Sequence, residues 1–111
     1  MATGVEQGVC GQAQPGAVER ALGVLTGKWT TLLVRELMCG PLRFGELRTA
    51  LGSPSAKTLT DRLRALEHEG VLTRTLYPEI PPRVEYELTE RGRALWPVLV
   101  ALHEWGSELT G

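Results

Sequence analysis

The segment SAKTLTDRLRALEHEGVLTRTLYPEIPPRVEYELT, Ser55 to Thr89, changes its hydrophobic period midway, and that change decides the fold. Up to Gly70 the apolar residues Leu59, Leu63 and Leu66 recur at helical spacing, behind a serine suited to accept an early backbone N–H as N-cap. Gly70 supplies the stop. Beyond it Leu72, Arg74 and Leu76 alternate with Thr73, Thr75 and Tyr77. Val84, Tyr86 and Leu88 then alternate with Arg83, Glu85 and Glu87, again the two-residue repeat of strands. Arg74 falls in phase with apolar residues, so it extends beyond the core or snorkels to its rim. Pro78, Pro81 and Pro82 mark the tip between the strands, where a missing N–H harms no ladder. A helix is thus followed by a β-hairpin.

Toward the N-terminus, Phe44, Leu47 and Leu51 form a shorter stripe closed by Gly52. Joined to the Ser55 helix by Gly52-Ser53-Pro54, it has the sequence shape of a helix-turn-helix. Before it, Trp29, Leu32, Leu33 and Leu37 share one face of a helix that stops at Gly40-Pro41. Val18, Ala21, Leu22 and Leu25 recur from Ala17 until Gly27 interrupts them. Residues 1–15 lack periodicity and close at Pro15-Gly16, which predicts a flexible arm before a single domain over residues 16–111. After the hairpin, Thr89 caps a final helix with Glu90 at its positive end, and Leu95, Leu99, Leu102, Trp105 and Leu109 run along it. The expected class is α+β, mainly α, with three helices, a two-stranded hairpin and one long helix.

The chain has 111 residues, 42% of them hydrophobic and 23% charged, enough for one core and no second domain. A formal net charge of −1 argues against an indiscriminate polycation, so any affinity for nucleic acid must come from local charge. No apolar run approaches the ~20 residues that cross a bilayer. The N-terminus lacks the basic start and apolar middle of a secretory signal, so the chain reads as cytoplasmic, with no membrane partner. Cys10 and Cys39 have no zinc-like spacing with His68 and His103, and no metal or other cofactor is expected. There is no nucleophile signature and no glycine-rich phosphate loop, so no enzymatic activity is expected.

At ~100° per residue, a helix that turns Leu59, Leu63 and Leu66 inward turns Lys57, Asp61, Arg64 and His68 outward. Such a helix fits the major groove of B-DNA. Ser55, Lys57, Thr58, Thr60, Asp61 and Arg64 are chemically suited to bases and phosphates there. The bland alternative is a solvated face of mixed charge. Arg43, Arg48, Lys57, Arg62, Arg64, Arg74 and Arg83 all fall in the helix-turn-helix and hairpin, while Glu67, Glu69, Glu79, Glu85 and Glu87 dilute them. Arg83 follows a proline-stiffened tip and can meet a phosphate or a narrow minor groove. It can equally pair with Glu79 or Glu85. On local chemistry these two readings stand about equal.

The segments GKWTTLLVRELMCGPLRFGELRTAL and SAKTLTDRLRALEHEGVLTRTLYPEIPPRVEYELTERGRAL, with the terminal HEWG, resemble the HxlR family of bacterial winged helix-turn-helix transcriptional regulators. The resemblance runs from Val18 to Gly106, and YPEIPPRVEYELT is its most specific piece. It implies a sequence-specific DNA-binding regulator that acts as a homodimer on a pseudo-palindromic operator and represses or activates nearby genes, with repression the expected sign. The first and last helices would form the dimer. Ser55, Lys57, Thr60 and Arg62 match the family's recognition-helix pattern, Arg43-Phe44 the start of its supporting helix, and Arg83 the wing arginine. The apolar surface of Trp96, Val98, Leu99, Leu102 and Trp105 fits dimerisation, since it exceeds what one small domain covers. The alternative of another class is a winged-helix protein-interaction module without operator binding. A small-molecule or electrophile effector is compatible with the first reading, and Trp29, Trp96 and Trp105 could line its pocket.

The chain departs from the family pattern in two places. Many relatives carry a redox-sensing cysteine shortly before the first helix, where this chain has Gly16, with Cys10 displaced into the arm. Cys10 is the candidate redox residue, for an intersubunit disulfide. Its neighbours offer no cation to activate a thiolate, and Cys39 sits at the unfavourable end of a helix dipole. The second departure is Asp61, where glutamine is common: a carboxylate accepts from a cytosine amine and repels phosphate. Replacing it, Asp61→Gln, is expected to change the preferred duplex in selection from a randomised pool. An unchanged preference would remove Asp61 from base reading.

Overall fold

The computed structural model describes residues 15–109, so the expectation of a flexible arm falls almost wholly outside the described residues. Helix α1 (Pro15–Leu25) starts two residues ahead of Ala17, because the fixed φ of proline suits the first helical position. A turn through Thr26 and Gly27 leads to α2 (Thr30–Leu37). Strand β1 (Leu42–Arg43), α3 (Phe44–Ala50) and α4 (Ala56–His68) follow, then the hairpin β2 (Leu72–Tyr77) and β3 (Arg83–Leu88). The chain ends in α5 (Glu90–Arg93) and α6 (Leu95–Ser107).

The core gathers one face from each element. Leu33, Val34 and Leu37 of α2, Leu47 of α3, and Leu59, Leu63 and Leu66 of α4 are buried, with Val71, Leu72, Tyr86 and Leu88 from the hairpin base. Phe44, Leu51 and Trp29 pack around them, partly buried. The α2 face differs from the one read in sequence. Val34 and Thr30 are buried while Leu32 points outward, because α2 is sealed along the Thr30–Leu33–Val34–Leu37 stripe. Trp29 precedes that helix in a left-handed conformation, φ 63°, with Lys28 Nζ 4.8 Å over its ring.

Gly52 and Gly70, expected to stop α3 and α4, do so by the same geometry. At the end of α3, Ser53 N–H donates to Arg48 O (2.8 Å) and Gly52 N–H to Thr49 O (3.1 Å), with Gly52 at φ 84°. At the end of α4, Val71 N–H donates to Leu66 O (2.9 Å) and Gly70 N–H to Glu67 O (3.0 Å), with Gly70 at φ 78°. These paired bonds satisfy carbonyls that the helices leave open.

The hairpin is part of a larger sheet than expected. β1 pairs antiparallel with β3, Leu42 opposite Tyr86 and Arg43 opposite Glu85, so the strand order is β1-β3-β2. Two residues are too few to show a period in sequence. Burial follows the alternation only at the hairpin base: Leu72, Tyr86 and Leu88 are buried, while Leu76 is 55% exposed and Ile80 at the tip fully so. Among the described residues, the apolar side chains of the outer half of the wing are left uncovered.

The last helix is broken. Thr89 does cap a helix, its Oγ1 accepting from Gly92 N–H at 3.0 Å, but that helix is the short α5. Pro97 has no N–H for the Arg93 carbonyl, so the i→i−4 ladder lapses and the chain turns at Ala94 before α6 resumes. Leu95 and Leu99 pack against the core, but no residue of α6 is buried.

Gly92 ties this end to the rest. Thr89 N–H and Oγ1–H both reach Val71 O, at 3.0 and 3.1 Å, and a Cβ on Gly92 would overlap that same carbonyl and lie 3.0 Å from Leu88 Cδ2. The backbone at Gly92 is part of a regular helix, so the need for glycine is one of space. Gly92→Ala is expected to destabilise the domain by about 1–3 kcal/mol or more in urea unfolding. Gly106→Ala, at a position with open space around it, serves as the control with an effect near zero.

Candidate nucleic-acid interface

The orientation of α4 is set before its first turn. Arg48 Nε donates to Pro54 O at 2.6 Å, bracing the left-handed Gly52-Ser53 link, φ 84° and 59°. Ser55 then caps α4: its Oγ accepts from Thr58 N–H at 3.1 Å and its hydroxyl donates to Thr58 Oγ1 at 2.7 Å. Both hydroxyls that suited base contacts are therefore engaged in holding the helix end open. They remain exposed.

With Leu59, Leu63 and Leu66 inward, Lys57, Asp61, Arg64 and His68 project outward, as the periodicity requires. Lys57 Nζ lies 3.0 Å from Asp61 Oδ2, an exposed i, i+4 pair that solvent screens. One flank of α4 faces the sheet across a cleft of about 470 Å³ whose lining includes Thr60, Arg64, Glu67, Arg74, Val84 and Tyr86. Arg64 and Arg74 both look into this cleft, and among the described residues neither has a carboxylate within ion-pair distance. Arg74 belonged to the basic set read from sequence but not to the residues suited there to bases and phosphates. The sequence signal for it was its apolar phase on a strand, which only the sheet's position beside α4 turns into a shared cleft.

The wing arginine is not free. Arg83 Nη2 and Nε donate to the two carboxylate oxygens of Glu79, at 2.8 and 3.3 Å, and Nη1 donates to Glu85. Its guanidinium also stacks 3.9 Å above the Tyr77 ring. Its hydrogen bonds to Glu79 and then to Glu85 push the Arg83 pKa up. Arg83's hydrogen bonds, then its charge and that of Arg43, hold the Glu79 carboxyl below its usual range. Between the two readings that local chemistry left even, this geometry has the ion pair. The wing tip carries its own neutralised cation and presents Ile80 to solvent.

The remaining candidates divide. Arg43, exposed at the junction of β1 and α3, has its backbone N–H bound by Glu46 Oε1 at 2.8 Å and stands opposite Glu85 of the wing. Arg62 does not join the outward row. It leaves α4 on the flank away from the cleft, with Nη1 2.6 Å from where a Cβ on Gly27 would sit. Its place on the helix, between inward Leu59 and Leu63 and outward Asp61, sends it toward α1. Of the tryptophans considered for an effector pocket, Trp96 lines a hollow with Leu99, Val100 and His103. Cys10 lies outside the described residues, and Cys39 is an exposed free thiol after α2. No group of described residues could hold a metal ion, and no described helix is long and apolar enough to cross a membrane.

Comparison with known proteins agrees with this geometry. The HxlR-like helix-turn-helix family pattern matches residues 24–111. The HTH-type transcriptional regulator sll1512 of Synechocystis sp. is 52% identical over 91 residues, 82% of this chain and 67% of that one. A transcriptional regulator of the MarR family from Enterococcus faecalis V583 has a crystal structure that superposes with a TM-score of 0.79 at 41% identity, over 87% of this chain and 88% of that one. The redox regulator HypR in its oxidized form superposes with a TM-score of 0.73 at 42% identity, over 82% and 94%. With the match extending from α1 through the wing to the last helix, this chain belongs to the HxlR-like helix-turn-helix family, whose matched members are transcriptional regulators and not enzymes.

Proposed function

We propose that the protein acts in the cytoplasm as a homodimer that binds a pseudo-palindromic operator and represses the genes beside it. The observation that carries this reading is the cleft between α4 and the sheet, where Arg64 and Arg74 stand unpaired beside the open outward row of α4. A helix laid in the major groove brings Ser55, Lys57, Thr58, Thr60 and Asp61 to base edges and flanking phosphates. Arg64, Arg74 and Arg43 then meet the backbone. Arg62 has no part in the contact.

The dimer follows from apolar surface without a cover. Trp105 is 63% exposed and Val18 of α1 likewise, and Trp96, Val98, Val100, Leu102 and Leu109 add to the same problem. A second copy placing its own α1 and α6 there would bury them. It would also set the two α4 helices about 34 Å apart, or a multiple of one DNA turn.

A second reading has its own support. Lys57 is paired with Asp61 and Arg83 with two glutamates, which lowers the free positive charge and suits a protein-binding module. HypR is described as a redox regulator; a thiol response in this chain would fall to Cys10 or the exposed Cys39.

Fluorescence anisotropy against duplex from the chain's own upstream region, beside a scrambled duplex, separates the readings. Operator binding predicts preference for the upstream duplex and a log–log salt slope of roughly −0.9 per phosphate contact. Equal, weak and salt-insensitive binding would favour the protein-interaction module, and a monomer in sedimentation at micromolar concentration would count against the dimer. The wing ion pairs make a sharper prediction. Glu79→Gln removes a negative charge and loosens Arg83, so operator affinity should rise and the salt slope should steepen by roughly 0.9 per subunit. An unchanged slope would show that Arg83 braces the wing without meeting phosphate.

A further inference from the structure

The two faces of the wing differ in chemistry. The strand register sets Leu72 opposite Leu88, Arg74 opposite Tyr86 and Leu76 opposite Val84 on one face. On the other it sets Thr73, Thr75 and Tyr77 opposite Glu87, Glu85 and Arg83. The first face continues the cleft beside α4, since Arg74, Val84 and Tyr86 line that cleft with Arg64. Farther out, Leu76 is exposed on the same face and Ile80 at the tip is fully exposed. The second face holds the carboxylates. Glu79 and Glu85 occupy the Arg83 guanidinium, so the tip offers a partner one uncovered aliphatic side chain and no free cation. That side chain is held in place. Pro78, Pro81 and Pro82 restrict the backbone on both sides of it. Glu79 N–H donates to Tyr77 O at 2.8 Å, and Arg83 ties the Glu79 carboxylate back to the strand. An exposed isoleucine on a braced tip, in line with two unpaired arginines, loses little entropy on making a contact.

We propose that Ile80 enters the minor groove next to the major groove occupied by α4 and makes the wing select A·T pairs there by apolar contact, with the Arg83 cluster as its brace. This role rests on the operator binding proposed above. With Arg64 and Arg74 on the phosphates between the two grooves, the same face of the wing carries Leu76 and Ile80 to the far side of that backbone. The minor groove, about 6 Å wide, admits a single branched side chain between its deoxyribose walls. A guanine adds its N2 amine to the groove floor, and this amine obstructs a side chain that has no atom to accept from it. Apolar side chains, isoleucine among them, are known to enter minor-groove base steps. A cation in the same place would be drawn to phosphates of every sequence and would weaken with salt. Ile80 instead gives a contact that depends on the groove floor and scarcely on salt.

The test titrates the full chain and its Ile80→Ser variant against the upstream duplex, once natural and once with 2,6-diaminopurine in place of every adenine. That base adds an amine to the minor groove and leaves the major-groove edge of adenine as it was. Ile80 is fully exposed, so the variant should keep the melting temperature of the parent chain. The parent should bind the substituted duplex roughly tenfold more weakly than the natural one. Ile80→Ser should lose roughly tenfold on the natural duplex, keep the parent's salt slope, and lose nothing further on the substituted duplex. Full affinity in Ile80→Ser, no loss by the parent on the substituted duplex, or an equal loss by both proteins would overturn the role of Ile80 and leave operator binding standing. A parent chain that does not prefer the natural upstream duplex to a scrambled one would overturn operator binding and this role with it.

Discussion

The burial of Leu59, Leu63 and Leu66 on one side of α4 governs most of what this molecule presents to its surroundings. Each of these side chains contributes about 1.5–3 kcal/mol by leaving water, and together they leave α4 only one rotation about its axis. That rotation puts Lys57, Asp61 and Arg64 outward, Thr60 and Arg64 toward the sheet, and Arg62 and Glu69 toward α1. The helix thus has three working faces besides its buried one. Rotating it by one residue would lose the core and all three faces at once.

The loops on either side of α4 serve this constraint. Left-handed glycines end α3 and α4, and Ser55 and the Arg48–Pro54 bond define the first turn between them. The close approach of Gly92 to Val71 then binds the base of the wing to α5. Away from these junctions the structure is less tightly held. The wing tip extends past the core, and its order comes from the Arg83 cluster with Tyr77, Glu79 and Glu85 instead of from apolar packing.

Charge in this protein is arranged locally, which is how a chain of net charge −1 can still have a cationic site. Carboxylates occupy the wing arginine and Lys57, whereas Arg64 and Arg74 remain available in a cleft between the two elements. The distinction matters for any anionic partner, because an arginine already bound to two carboxylates must exchange them for a new contact. An unpaired one needs only to shed water.

Local patterns were enough to determine the kinds of element, the inward stripe of α4, its serine cap, its glycine stops and the place of the hairpin, because each depends on residues within one or two turns of chain. Resemblance added the family. Tertiary structure alone decided the third strand, the break at Ala94, the outward turn of Leu32 and the need for glycine at position 92. It also decided which cations are free. Sequence counted Arg62, Arg74 and Arg83 as members of one basic set, yet they end in a buried flank, an open cleft and an ion-paired tip. Side-chain charge is a property of the residue, but its availability depends on neighbours brought together from distant parts of the chain.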